Sequence, residues 1–145
     1  MRSREVSQGF WVALIIVAAF VASGTVRLLE GARAAVPGVA HVVFSSPLPN
    51  VPGKTLTAIV VDYPPGGASL PHRHAGSVFA FVLSGQVRSE VSTSGPARTY
   101  RAGESFFEPP GSTHLVSENA SATDPASLLA VFVADDKAQL TTPAH

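Results

Sequence analysis

The most informative stretch of this sequence runs Gly66-Gly67-Ala68-Ser69-Leu70-Pro71-His72-Arg73-His74, and a later segment ends in Pro109-Pro110-Gly111-Ser112-Thr113-His114. His72 and His74 are two residues apart, so on an extended strand their side chains project to the same face. His114 follows a Pro-Pro-Gly turn and begins another apolar strand. Two imidazoles from one strand and a third from a neighbouring strand predict a site for one divalent transition metal.

The composition fits one small domain. The chain has 145 residues, of which 14% are charged, and its formal net charge is zero. That length leaves too little sequence for a second domain. The charged residues form no basic cluster, so we expect no nucleic-acid partner. There is no cysteine, which removes disulfides and thiolate ligands and leaves the redox compartment open.

Residues 1–35 have the composition of a targeting segment followed by a linker. Arg2 and Arg4 precede an apolar run, and no residue from Val6 to Val26 is charged. As a helix, that run would extend roughly 31 Å, about one hydrocarbon thickness. A cleaved signal peptide and a retained membrane anchor both fit this pattern. Either interpretation predicts an exported, periplasmic or otherwise extracytoplasmic domain, which is bound to the membrane if the helix is retained.

The remaining sequence predicts an all-β domain over residues 36–135 and a polar, frayed tail over 136–145. No stretch after residue 40 shows a convincing 3.6-residue period, and turn signals separate nearly all the apolar runs. The predicted strands are residues 41–44, 56–63, 78–83, 86–92, 98–100, 105–107, 114–117 and 127–133. Short strands with closely spaced turns are typical of an antiparallel sandwich or barrel.

The two histidine segments resemble the paired motifs of the cupin superfamily, in particular its small single-domain members. The positions that agree with the two motifs are Gly66, His72, His74, Gly85, Gly103, Pro109, Gly111 and His114. The resemblance covers roughly residues 40–134. It implies a single jelly-roll β-barrel, preceded here by the N-terminal hydrophobic helix, with His72, His74 and His114 as metal ligands.

Two positions depart from the family pattern. The glutamate of the first motif falls at Val78, which cannot bind a metal, and the asparagine of the second motif falls at Glu118. The resemblance therefore implies three histidine ligands without the usual fourth ligand, around one divalent Fe, Cu, Ni, Mn or Zn ion. Three neutral imidazoles leave the ion its full double charge, which makes it a stronger Lewis acid with more open positions.

Strand parity predicts which side chains surround this site. The face shared by Val78, Ala80 and Val82 is interior if the turn after His74 preserves the phase, and it predicts a narrow, mostly apolar cavity. Phe79 then points away from the cavity.

Two carboxylates are candidates for catalysis. Continued from His114, the same parity brings Glu118 to the interior face, although an exposed strand end is the plainer alternative. Glu108 stands directly before Pro109 and is the second candidate. We expect one of them to act as the catalytic acid or base beside the metal. Phe79 and Phe81 face outwards and offer a surface for packing or for a homodimer.

These observations leave functions of three classes open. The first is a metal-dependent enzyme, dioxygenase-like or isomerase/lyase-like, that acts on a small organic molecule. The second is a non-catalytic periplasmic module that binds a small molecule or a metal. The third is a structural partner domain with an exposed phenylalanine surface. The fold does not choose among them, because this superfamily has many activities.

Overall fold

The computed structural model describes residues 36–144, which form eleven β-strands. In chain order they are β1 (Val39–Pro47), β2 (Lys54–Tyr63), β3 (Ala68–Ser69), β4 (His72–His74), β5 (Ser77–Ser84), β6 (Gln86–Val91), β7 (Arg98–Arg101), β8 (Ser105–Glu108), β9 (Thr113–Asn119), β10 (Ala126–Asp135) and β11 (Thr141–Pro143). The predicted N-terminal helix lies outside the described residues. Within them, no helix is long and apolar enough to cross a membrane.

The strands form two antiparallel sheets. The first sheet has the order β1-β2-β10-β5-β8, and the second has the order β11-β4-β9-β6-β7 with β3 paired to β9. Neighbouring strands in each sheet are often far apart in sequence, as expected for a jelly roll rather than a simple meander. The prediction of an all-β domain is confirmed for residues 36–144.

The core lies between the two sheets and follows the two-residue period of their strands. Side chains alternate between buried and half-buried along nearly all of β10. On β5, Val78, Ala80 and Val82 are fully buried, whereas Phe79 is 45% exposed. Burial of a valine side chain stabilises the fold by about 1.5–3 kcal/mol. The predicted interior face of β5 is therefore confirmed.

Two turns require glycine because another strand passes close by. Gly76 has a φ of 84°, and a Cβ there would overlap the carbonyl oxygen of Val133 on β10. Gly85 has a φ of 70°, and a Cβ there would clash with the backbone of Pro125 and Ala126. These contacts fix both ends of β5, and Gly76 fixes the turn that follows His74.

Strand β11 corrects the prediction that residues 136–145 are frayed. Its three residues pair with β4, so that Thr141 lies opposite His74 and Pro143 lies opposite His72. A three-residue strand is too short to produce a periodic sequence pattern, which is why the sequence did not reveal it. As a result, β4 is covered by β9 on one side and by β11 on the other.

Candidate metal centre

The three predicted histidines come together on the second sheet. His72 and His74 occupy the two ends of β4, and His72 lies directly opposite His114 on β9. The ring centroid of His72 is 4.6 Å from that of His74 and 5.0 Å from that of His114. One nitrogen from each ring lies within 4.8 Å of the other two, so the group is able to hold a metal ion.

Hydrogen bonds at the outer nitrogens fix the tautomers of His72 and His74. The Nδ1 of His72 is 2.6 Å from the carbonyl oxygen of Leu70, and the Nδ1 of His74 is 3.2 Å from that of Leu140. A carbonyl only accepts hydrogen bonds, so each Nδ1 carries the proton and each Nε2 has a free lone pair. These two Nε2 atoms are 3.1 Å apart. Two lone pairs at that distance repel each other unless a proton or a metal cation lies between them.

His114 completes the set from the buried side. It is 2% exposed, and its Nε2 lies 2.8 Å from the hydroxyl oxygen of Ser89. Its Nδ1 is the one fully buried side-chain nitrogen or oxygen in residues 36–144 without a hydrogen-bond partner. An unpaired buried nitrogen is costly, and coordination of a metal would satisfy it. The histidines present therefore fit a metal ion.

Burial keeps two of the three rings neutral. Desolvation, with a smaller contribution from the neighbouring His72, lowers the pKa of His74 to about 4. Desolvation, with smaller contributions from His72 and His74, lowers the pKa of His114 to about 3. Both rings are therefore unprotonated at neutral pH, as metal coordination requires.

Glu108 lies in the interior beside this group. The residue is 3% exposed, and its Oε2 is 3.2 Å from the Nδ1 of His114 and 3.7 Å from the Nε2 of His74. Burial raises the pKa of the Glu108 carboxyl to about 7. Of the two predicted carboxylates, this is the one that contacts the histidines.

Glu118 lies on the other face of β9, which corrects its predicted position. The register of β9 against β6 shifts between His114 and Val116. These two residues face the consecutive residues Val91 and Glu90, which leaves Leu115 as an extra residue. Such a bulge reverses the inside–outside alternation, which sequence parity assumed to be continuous. Glu118 therefore points outwards and forms an ion pair with Arg88 at 2.8 Å.

Asn119 takes the inward position that strand parity predicted for Glu118, and it was not among the predicted site residues. It is 5% exposed, and its side-chain amide donates to the carbonyl oxygen of Asp124 at 2.7 Å. Its Oδ1 accepts a hydrogen bond from the backbone of Ser121 at 2.9 Å. The signal was present, because this asparagine stands one residue beyond the position that the cupin motif gives it.

Two further groups orient the rings and were not predicted from the sequence. Ser89, on the buried face of β6, contacts His114, and Thr141, on β11, has its hydroxyl 3.1 Å from the Nδ1 of His74. Such partners fix the orientation of metal-binding imidazoles. Neither has a sequence signal, because each contact joins strands whose pairing is not visible in the sequence.

A cavity of about 330 Å³ lies on the far side of Ser89 and Phe106 from His114, and neither the three histidines nor Glu108 line it. Ser89 and Phe106 separate it from His114, since both line the cavity and both contact that ring. The polar or ionisable residues that line it are Ser89, Glu90, Ser94, Arg98 and Tyr100. Val78, Ala80 and Val82 do not line it, so this is not the narrow apolar cavity that strand parity predicted beside the histidines.

Comparison with known proteins agrees with this architecture. The family model described as "Cupin domain" matches residues 59–132, about half of the chain. The chain therefore belongs to the cupin family. No curated protein matches the sequence.

Solved structures show the same fold. The chain is similar, at 22% identity and a TM-score of 0.59, to an uncharacterised conserved protein with a double-stranded β-helix domain from Klebsiella pneumoniae; the match covers 75% of this chain and 85% of that one. It is also similar, at 20% identity and a TM-score of 0.59, to the DMSP lyase DddQ from Ruegeria pomeroyi, covering 74% of this chain and 52% of that one. A third similarity, at 25% identity and a TM-score of 0.57, is to an oxalate decarboxylase, covering 75% of this chain and 28% of that one. The match thus spans about half of the lyase and little more than a quarter of the decarboxylase.

Proposed function

We propose that this cupin binds one divalent transition metal through His72, His74 and His114 and acts as an enzyme on a small organic molecule. The observation that carries the proposal is the pair of Nε2 lone pairs, 3.1 Å apart, with both tautomers fixed by backbone carbonyls. Without an ion, one of the two rings must take up a second proton to donate between the nitrogens, whereas a metal cation between the rings forms a coordination bond with each.

The proposed ion and the side chains near it would have different roles in the reaction. The bound ion, be it Fe, Cu, Ni, Mn or Zn, would supply Lewis-acid or redox chemistry. The serine hydroxyl at position 89 orients His114, and the aromatic rings of Tyr100 and Phe106, 4.8 Å apart, line the cavity on the far side of that serine. The cavity is at the lower end of the roughly 300–1,000 Å³ usual for small-molecule sites, which favours a small substrate.

A small organic anion is the substrate class that we propose to test first. Arg98 lines the cavity with its guanidinium carbon 5.1 Å from the centre of the Tyr100 ring, which is close enough for a cation–π contact. A guanidinium binds a carboxylate through paired hydrogen bonds. The similarity to an oxalate decarboxylase supports the same choice.

Two reaction classes fit this site. In an isomerase-like or lyase-like reaction, a carboxyl group moves a proton, and Glu108, whose pKa burial raises to about 7, is the candidate. In a dioxygenase-like reaction, dioxygen and the substrate both react at the metal. Oxygen consumption during turnover separates the two classes.

Metal content tests the first half of the proposal. The full chain and its His72→Ala, His74→Ala and His114→Ala variants are loaded with Zn²⁺, dialysed and measured by inductively coupled plasma mass spectrometry. We expect about one ion per wild-type chain and a sharp loss in each variant. His41→Ala is the matched control, because His41 is a half-exposed histidine on β1, 3.8 Å from Asp62. Equal metal content in all five proteins would refute the proposed site.

Turnover tests the second half. Metal-loaded protein is incubated with small organic acids, phenols and diketones while oxygen uptake and product formation are recorded. Activity that a chelator abolishes supports the enzyme. Tight binding without turnover would favour the non-catalytic module instead.

Export of the domain remains a proposal based on residues 1–35. Fusion of the full chain to alkaline phosphatase, which is active only outside the cytoplasm, tests it. Deletion of Phe10–Ala22 is expected to abolish phosphatase activity while leaving expression unchanged.

Homodimerisation also remains a proposal. Phe79 and Phe107 are paired across β5 and β8 on the outer face of the first sheet, where they are 45% and 52% exposed. Sedimentation analysis of the wild type and of Phe79→Ser tests whether this surface pairs two copies.

A further inference from the structure

Glu108 lies across the strand pair from Val78, the position at which the family motif has a glutamate. The motif glutamate falls at Val78 on β5, and in the antiparallel pair of β5 and β8 the residue directly opposite Val78 is Glu108. Directly paired residues in an antiparallel sheet project to the same face. Both side chains are buried, with exposures of 0% and 3%. The carboxyl group that β5 lacks is thus present one strand away, on the interior face.

Glu108 lies near two of the three candidate histidine ligands, one of them at a distance expected for ligands that share an ion. Two ligand atoms with metal bonds of about 2.1 Å are about 3.0 Å apart at a right angle and about 3.4 Å apart at the tetrahedral angle. The Oε2 of Glu108 is 3.2 Å from the Nδ1 of His114 and 3.7 Å from the Nε2 of His74. The two Nε2 atoms of His72 and His74 are 3.1 Å apart. The carboxyl oxygen is therefore close to His114 and His74. It does not belong to the group of histidine nitrogens that all lie within 4.8 Å of one another, so the Glu108 side chain has to shift for its carboxylate to share one ion with all three rings.

We propose that Glu108 is the fourth ligand of the metal and that β8 supplies the carboxylate which β5 supplies in the family motif. This inference rests on the metal site proposed above. In residues 36–144, the polar partners that the structure gives Glu108 are the imidazoles of His74 and His114. An ionised carboxylate in this interior needs a cation, and a divalent ion held by neutral rings provides one.

Coordination by Glu108 changes what the site can do. A carboxylate ligand reduces the net charge of the metal group from two to one, so the ion is a weaker Lewis acid than with three imidazoles alone. A six-coordinate ion then keeps two open positions, which suffice for a substrate bound through two oxygens. A coordinated Oε2 is not free to act as a base, so proton transfer by Glu108 in an isomerase-like or lyase-like reaction would use its other carboxyl oxygen, Oε1.

The alternative is that a protonated Glu108 donates a hydrogen bond to the Nδ1 of His114 and only positions that ring. Glu108→Gln separates the two roles, because an amide can donate the same hydrogen bond but is a poor ligand. We expect the full-length Glu108→Gln variant to bind Zn²⁺ at least 10–100-fold more weakly than the wild type, the range that loss of an outer partner already costs. Titration calorimetry measures the affinity.

Glu118→Gln is the matched control. It makes the same chemical change ten residues along, on an outward-facing carboxylate paired with Arg88. We expect its Zn²⁺ affinity to equal that of the wild type. Circular dichroism verifies that both variants are folded.

Moving the carboxylate back across the strand pair is the sharper test. The double variant Val78→Glu/Glu108→Val exchanges the two side chains and leaves their combined volume unchanged. We expect it to recover most of the Zn²⁺ affinity that Glu108→Val alone loses. Infrared difference spectra of the wild type, with and without Zn²⁺, are expected to show a metal-bound carboxylate band that is absent from Glu108→Gln.

The outcomes distinguish this inference from the metal site itself. If Glu108→Gln keeps wild-type affinity and leaves the infrared spectrum unchanged, while the three histidine variants lose the metal, Glu108 is not a ligand and only this inference fails. If the histidine variants also keep the metal, the proposed metal site fails as well. If the exchange variant does not fold, the result for Glu108→Gln decides the question.

Discussion

Glu118 and Asn119 are neighbours in the chain with opposite environments. Glu118 is on the surface and pairs with Arg88, whereas Asn119 is buried and holds the loop before β10 through the backbones of Ser121 and Asp124. The bulge at Leu115 produces this division, because beyond it the odd positions of β9, Ser117 and Asn119, are the buried ones.

Substitutions at these two positions are therefore expected to differ in their effect on stability. Asn119→Ala takes away the partner of the Ser121 backbone amide and of the Asp124 carbonyl, both in part-buried hydrogen bonds, and we expect it to lower the free energy of unfolding by about 1–3 kcal/mol. Glu118→Ala removes a half-exposed ion pair and is expected to cost about 0–1 kcal/mol. Urea denaturation of both variants measures the difference, and equal losses would contradict the assignment of the two faces.

The hydroxyl of Ser89 orients His114 for the metal. Ser89→Ala removes the partner of the His114 Nε2, so we expect the affinity for Zn²⁺ to fall about 10–100-fold while the fold is retained. Ser92→Ala is the control, because the Ser92 hydroxyl accepts a hydrogen bond from the backbone of Thr113 and none from the ring. An unchanged affinity in Ser89→Ala would show that packing alone holds the imidazole.

The turn from β4 to β5 depends on the close passage of β10. Gly76→Ala places a methyl group against the carbonyl of Val133 at a positive φ, and we expect a loss of at least about 1–3 kcal/mol from the backbone conformation alone. Gly53→Ala has a similar φ of 81° with nothing within 4 Å, so it reports the backbone cost without the clash. The difference between the two melting temperatures measures the contact. Equal melting temperatures would mean that β10 moves away at no cost.

The strands whose side chains alternate regularly were predictable from the sequence. A two-residue period predicts the interior face of β5, and it predicts that His72 and His74 lie on the same face of β4. The structure agrees with both predictions. The bulge in β9 was not predictable, because it exists only in relation to the register of β6. The pairing of Val78 with Glu108 was not predictable for the same reason. The two residues are 30 positions apart, and the sequence of one strand does not specify its register against another.

The candidate ligands link the two layers of the molecule. The histidines belong to β4 and β9 in one sheet, and Glu108 belongs to β8 in the other. Binding of an ion to the folded state alone stabilises that state, by about 2.7 kcal/mol at a free metal concentration of 100 times the dissociation constant.

Removal of the metal is therefore expected to lower the melting temperature. For a domain of this size, about 2.7 kcal/mol corresponds to a shift of roughly 10–20 °C. Differential scanning calorimetry of Zn²⁺-loaded and chelator-treated protein measures the shift. In His114→Ala the chelator is expected to have no effect, and an equal shift in that variant would place the bound metal elsewhere.

Because β8 lies in one sheet and β4 and β9 lie in the other, a bound ion would also affect how readily the two sheets separate. Glu108 and His114 are 3.2 Å apart but belong to different sheets, so any opening between the layers pulls this contact apart. An ion bound to both residues would resist such opening, because separating the sheets would break one of its coordination bonds. Amide protons on β8 and β9 would then exchange with deuterated solvent more slowly, and by a common factor, because a single opening event exposes them together.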